Sequence, residues 1–155
     1  KFNISNEAII KGLQSVKWYG RNQIIDKKPY IIFDVAHNLA GMKSFLEFYN
    51  TLNIIGDSIL VIALQARKQI RAVIPTFISI FGHIICTEAP GRNPMSANLI
   101  GSFFPDDKCE IIQNPEKAIL SGIEKLTPQG GMAIIGSHCL GSAVSNIFKI
   151  SFDKY

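Results

Sequence analysis

From Pro29 onward, short apolar runs alternate with segments whose apolar residues recur every three or four positions, and this alternation limits the fold more than any other feature. The runs cover residues 30–33, 58–64, 83–87, 109–112 and 131–135. Between the first two, Met42, Phe45, Leu46, Tyr49 and Leu52 lie on one face of a helix over 38–52. A second helix is predicted over 70–81, where Pro75 signals a kink or a late start, and a short one over 95–100. Asn114-Pro115 opens a further helix, cap followed by proline in the first turn, and the last spans 142–150. No Asn-Gly or Asp-Gly turn joins two runs. Strands separated by helices pair in parallel through right-handed crossovers, so the expected fold is α/β: a Rossmann-like, doubly wound, mostly parallel sheet of five or six strands in three αβα layers. A chain of 155 residues has room for one such core.

Residues ahead of Pro29 read differently. Ile9, Leu13 and Val16 form one face of a helix that Ser5 or Asn6 can cap and that Gly12 weakens. Trp18-Tyr19-Gly20-Arg21 breaks the pattern, a short strand is expected over 22–25, and Asp26-Lys27-Lys28-Pro29 makes a turn. Residues 1–28 are therefore expected to be a tail and linker, and 29–155 the domain proper. The start at Lys1, without Met, hints at a fragment or a processed product.

Composition narrows the function. The net charge is +4, but twelve of the sixteen cations are lysines spread along the chain, with no basic stripe interleaved with aromatics, so nucleic acid is not an expected partner. No apolar run reaches the roughly 18 residues of a membrane span. Cys86, Cys109 and Cys139 are odd in number and widely spaced, which argues against disulfides and zinc and for a reducing, cytoplasmic compartment.

The first core run ends in Asp34-Val35-Ala36-His37-Asn38, a polar elbow at the carboxyl end of a strand, where open α/β sheets bind ligands. Neither G-x-G-x-x-G nor G-x-x-x-x-G-K-[ST] occurs in the chain. Two readings of the elbow follow. Asp34 can accept from ribose hydroxyls while His37 and Asn38 donate to phosphate oxygens beside a helix N-terminus. Alternatively, Asp34 and Asn38 satisfy the elbow's own backbone and His37 is a half-buried core residue.

The elbow, preceded by Gly12-Leu13 and Trp18-Tyr19-Gly20-Arg21, resembles the carboxyl-terminal domain of folylpolyglutamate and dihydrofolate synthases, members of the Mur ligase superfamily. Gly136-Ser137 after the last run and the loop Gly91-Arg92 with Pro94 to Ala97 are also similar to that family. The chain departs from the family pattern at Leu39, where proline is expected, and at Arg67, where many members carry an acidic loop. The resemblance implies ATP- and Mg-dependent joining of L-glutamate to a folate or dihydropteroate carboxylate through an acyl phosphate. It implies a monomer whose P-loop, metal ligands and folate pocket belong to a preceding ATPase domain. By position it assigns Arg21 and Asp34 to the nucleotide, His37 and Asn38 to the phosphates and reacting groups, Ser137 to the incoming glutamate and Arg92 to substrate binding. The competing expectation is a non-catalytic Rossmann-like fragment that binds a nucleotide or a protein; a Mur-type ligase acting on another carboxylate is a third.

Overall fold

The computed structural model describes residues 3–16, 18–66, 70–91 and 93–152. Helix α1 (Asn6–Ser15) precedes β1 (Gln23–Lys27) and β2 (Tyr30–Asp34), after which α2 (Leu39–Asn50), β3 (Ser58–Ile62), α3 (Ile74–Ile80) and β4 (His83–Cys86) alternate. The chain closes with α4 (Ala97–Gly101), β5 (Cys109–Ile111), α5 (Pro115–Glu124), β6 (Gly131–Ile135) and α6 (Gly141–Phe148). Among the described residues no helix is long and apolar enough to cross a membrane.

The six strands are ordered β1-β2-β6-β3-β4-β5. All pairs are parallel except β1 with β2, which runs antiparallel along a register from Gln23↔Phe33 to Lys27↔Tyr30. Residues 23–27, expected to lie in the linker, therefore extend the sheet by one edge strand. Their side chains are half-buried or exposed, so they carry little of the apolar pattern that marks a core strand.

Period-two alternation sorts the strand residues into two cores. Ile32, Leu60, Ile62, Ile84, Ala133 and Ile135 face α2, α3 and α4, whereas Ile31, Phe33, Ile59, Val61, Met132 and Ile134 face α5 and α6. Both faces of β6 are buried, which is why it reads as an unbroken apolar run. The helix predicted over 70–81 begins with a single 3-10 turn at Arg71–Val73 and becomes α-helical at Ile74 with Pro75 in its first turn. Pro75 lacks an N–H, and that position needs none.

The crossovers place a crevice beside β6. Chain leaving β2 and β3 turns toward one face and chain leaving β6 toward the other, so the carboxyl end of β6 is flanked on both sides by loops that diverge. Such reversal points are where doubly wound sheets hold ligands.

Candidate active site

Asp34 of β2, Ile135 of β6 and Ile62 of β3 are level in the sheet, and the three loops beyond them form the site. The first is the elbow. Asp34 is 4% exposed; its Oδ1 accepts the Ala36 N–H at 2.6 Å and its Oδ2 accepts the Asn22 N–H at 2.7 Å. The nucleotide contact expected of Asp34 thus meets a carboxylate already bonded on both oxygens to its own backbone. Asn38 caps α2 through Oδ1, which accepts the Gly41 N–H at 2.8 Å, and the residue is exposed. His37 is half-buried, with Nδ1 2.9 Å from the Val35 carbonyl. A carbonyl can only accept, so Nδ1 carries the proton of the neutral ring and Nε2 is left as its acceptor.

The second loop follows β6. Gly136 has φ +106°, and a Cβ there would overlap the Ala63 carbonyl oxygen, so only glycine lets this strand end pass beside β3. Ser137 is 1% exposed and its Oγ accepts the Cys139 N–H at 3.1 Å, capping a 3-10 turn at His138–Leu140 that leads into α6. Its hydroxyl proton is the polar group not used by that cap.

The third loop follows β3 and is zipped to the loop after β4. The Ala66 N–H bonds the Asn93 carbonyl at 2.8 Å and the Met95 N–H bonds the Leu64 carbonyl at 2.8 Å. Arg92 and Arg67 lie outside the described residues, but Gly91 comes against the Cys139 sulfur, so the loop bearing position 92 adjoins the one bearing Ser137. Glu88, which the sequence did not single out, anchors this loop by accepting the Ala97 N–H at 3.1 Å.

The linker joins the same edge. The Val35 N–H bonds the Gly20 carbonyl at 2.8 Å, and the Gly20 N–H bonds Gln23 Oε1 at 2.8 Å. Gly20 has φ +69° and packs so closely on Val35 that a Cβ would clash with it. Arg21 is exposed next to this contact. Asn22 also holds a left-handed backbone, at φ +44°, and its identity was the available signal, because Asn is the side chain that best tolerates that region. The structure therefore brings Arg21, Asp34, His37, Asn38 and Ser137 to one edge.

That edge supplies a guanidinium, an imidazole and two helix starts, a suitable lining for an anion. Among the described residues no group of three or more His, Cys, Asp or Glu side chains is placed to hold a metal ion. A pocket of 240 Å³ opens beside the linker, lined by Tyr19, Gly20, Phe33, Val35, His138, Gly141 and Phe152. Three further pockets, two at the amino edge and one over α3 and α4, contain none of the elbow residues.

Comparison with known proteins gives a consistent result. A dihydrofolate synthase/folylpolyglutamate synthase from Buchnera aphidicola (subsp. Acyrthosiphon pisum, strain APS) is 26% identical over 137 residues, covering 88% of this chain and 33% of that protein. A bifunctional folylpolyglutamate synthase/dihydrofolate synthase from Yersinia pestis, complexed with AMPPNP and Mn, superposes with a TM-score of 0.86 at 21% identity, over 97% of this chain and 36% of that one. A structure of a bifunctional synthase with Mn, AMPPNP and L-glutamate bound gives a TM-score of 0.87 at 21% identity and the same coverage. These structural likenesses establish the fold, and this chain spans about a third of the length of the relatives it matches. The family model for the Mur ligase, glutamate ligase domain matches residues 20–138, well over half of the sequence, and the chain belongs to that family.

Proposed function

We propose that the chain is the carboxyl-terminal half-site of an ATP-dependent ligase that adds L-glutamate to a folate or dihydropteroate carboxylate through an acyl phosphate. The observation that carries this reading is the joining of Trp18-to-Arg21 to the Asp34-to-Asn38 elbow at the carboxyl edge, by bonds from Val35 to Gly20 and from Asn22 to Asp34. It is supported by relatives named for this activity and by a neighbour that binds AMPPNP and L-glutamate.

When bound, ATP supplies the phosphoryl group that activates the carboxylate. The part of this chain is electrostatic and geometric: Arg21 offers its guanidinium to the nucleotide phosphates, and His37 and Asn38 face the reacting groups from the start of α2. Ser137 and Arg92, on adjoining loops, receive the glutamate. The Mg ion is held by the ATPase domain. Three unpaired cysteines suit the cytoplasm. The ligase works as a monomer, and α1, which buries no residue of its own, closes against the ATPase domain.

Lacking any phosphate-binding loop, the 155-residue chain is expected to be inactive alone and to support glutamate-dependent phosphate release when the ATPase domain of a relative is added. Release by the chain alone would refute the half-site, and a folded chain that restores no ligation in the mixture would favour the non-catalytic reading.

A further inference from the structure

We propose that Cys139 is a modification site: a thiol paired with the His138 imidazole at the carboxyl edge, open to reversible thiol–disulfide exchange with a small disulfide, and placed so that the adduct blocks the site. The exchange rests on geometry. The block rests on the ligase reading above, which puts the glutamate at Ser137.

The three cysteines have different surroundings. Cys86 is wholly buried in β4, and Cys109 beside it, sulfur to sulfur at 3.5 Å, is half-buried; burial pushes both thiols up, away from the reactive thiolate. Their partners are each other and the Glu110 carbonyl, which takes no proton. Cys139 is half-buried too, but its Sγ lies 3.6 Å from His138 Nε2, a hydrogen-bonding distance for sulfur. In the tautomer that carries its proton on Nδ1, Nε2 accepts from the thiol. Both residues belong to the 3-10 turn that opens α6, so the backbone fixes the pair, and the exposed face of His138 lets a reagent reach it from solvent.

In the exchange, His138 takes the Sγ proton and the thiolate attacks one sulfur of the incoming disulfide. A new S–S bond forms to Cys139 as the reagent's own S–S bond breaks, and the leaving thiolate takes the proton from the imidazolium. The Cys139 sulfur is oxidised, half of the reagent is reduced to a thiol, and an excess of free thiol runs the step backwards.

The sulfur stands where the three loops meet. Gln65, after β3, approaches it through Nε2 at 3.9 Å. A Cβ on Gly91, after β4, would lie 3.2 Å from it, so this glycine, at φ +122°, leaves the space that the thiol fills. The Cys139 N–H is itself bonded to Ser137 Oγ at 3.1 Å. A group added to Sγ therefore stands between the loops that bear Ser137 and Gly91, or displaces them.

The test treats the 155-residue chain with bis(hydroxyethyl) disulfide, small and uncharged, and follows each cysteine by peptide mass spectrometry. Cys139 is expected to take up the adduct at least roughly tenfold faster than Cys86 or Cys109, and H138A and H138Q to slow it by roughly fivefold or more. Faster reaction at Cys109, or an unchanged rate in either folded variant, would overturn the proposal. An unfolded variant betrays itself by equal rates at all three cysteines, and the remaining measurements then decide.

The block is read after the chain is treated, freed of reagent and mixed with the ATPase domain. Treated wild type is expected to lose at least about tenfold in glutamate-dependent phosphate release and to regain it on dithiothreitol, while C139S keeps its own rate through the same treatment. Equal loss in C139S, or an adduct on Cys139 that leaves wild type active, would overturn the block. A mixture inactive before any treatment would count against the ligase reading and leave the modification rates to judge the site.

Discussion

Glu110 on edge strand β5 brings two partners to one oxygen, His83 Nε2 at 3.0 Å and Lys125 Nζ at 3.1 Å, joining β4, β5 and the C-cap of α5. Partial burial opposes its ionisation, but hydrogen bonds and charge from His83 and Lys125 outweigh that and hold its carboxyl below the usual range. A depressed carboxylate pKa favours the folded state above the unfolded value of about 4.3, and the benefit is lost as pH falls through the folded value. Denaturation midpoints measured against pH are therefore expected to separate wild type from E110Q at neutral pH and to converge in acid; a constant gap would assign the difference to packing. The pair is about a third exposed, so the gap is small. Chemistry of this kind was hidden in the sequence, because His83, Glu110 and Lys125 are far apart there and parallel pairing brings them together. The elbow was legible in a different sense. Its residue types marked a site, but Asp, Asn and Ser serve ligands and backbone with the same atoms, and only geometry shows each of Asp34, Asn38 and Ser137 bonded to a nearby N–H.

Helix starts were the most readable elements, since a cap is a local event. Asn38, Ser96 and Asn114 each accept an N–H three residues on, and Ser5 does the same for α1. Strand β1 was the least readable as part of the sheet: of its five half-buried or exposed residues only Ile24 and Ile25 are apolar, one packed against each core, and pairing with β2 recruits the rest. Capping also offers a way to separate the two roles of Asn38. Asn38→Ala is expected to cost about 1 kcal/mol of stability in denaturant titration, and Asn38→Asp to recover most of it, because Asp caps as well as Asn. If the amide nitrogen also serves the reaction, N38D in the reconstituted enzyme stays impaired while its stability is restored. Recovery of activity along with stability would reduce Asn38 to a cap.

At the scale of the whole molecule, two faces of a sheet are covered and one helix is not. α1 buries none of its ten residues, and Ile9, Ile10, Leu13 and Val16 are all exposed, Leu13 by 71%. A helix of this length is marginal in water without tertiary contacts, so it contributes almost nothing to the domain it precedes. Removing residues 1–17 is accordingly expected to move the melting temperature by no more than roughly 2 °C, a surface-sized effect. The same apolar face gains its meaning in the longer ligase proposed above. Burying Leu13 and Ile9 against the ATPase domain is worth about 1.5–3 kcal/mol each, so the double substitution I9D and L13D is expected to weaken association of the two parts by roughly a hundredfold or more, read by calorimetric titration. The stability of the chain alone should not change. If instead the substitutions lower its melting temperature, α1 packs on its own domain; if association is unaffected, the linker from Trp18 to Asn22 makes the contact without it. Either result would move the boundary between the two halves of the site.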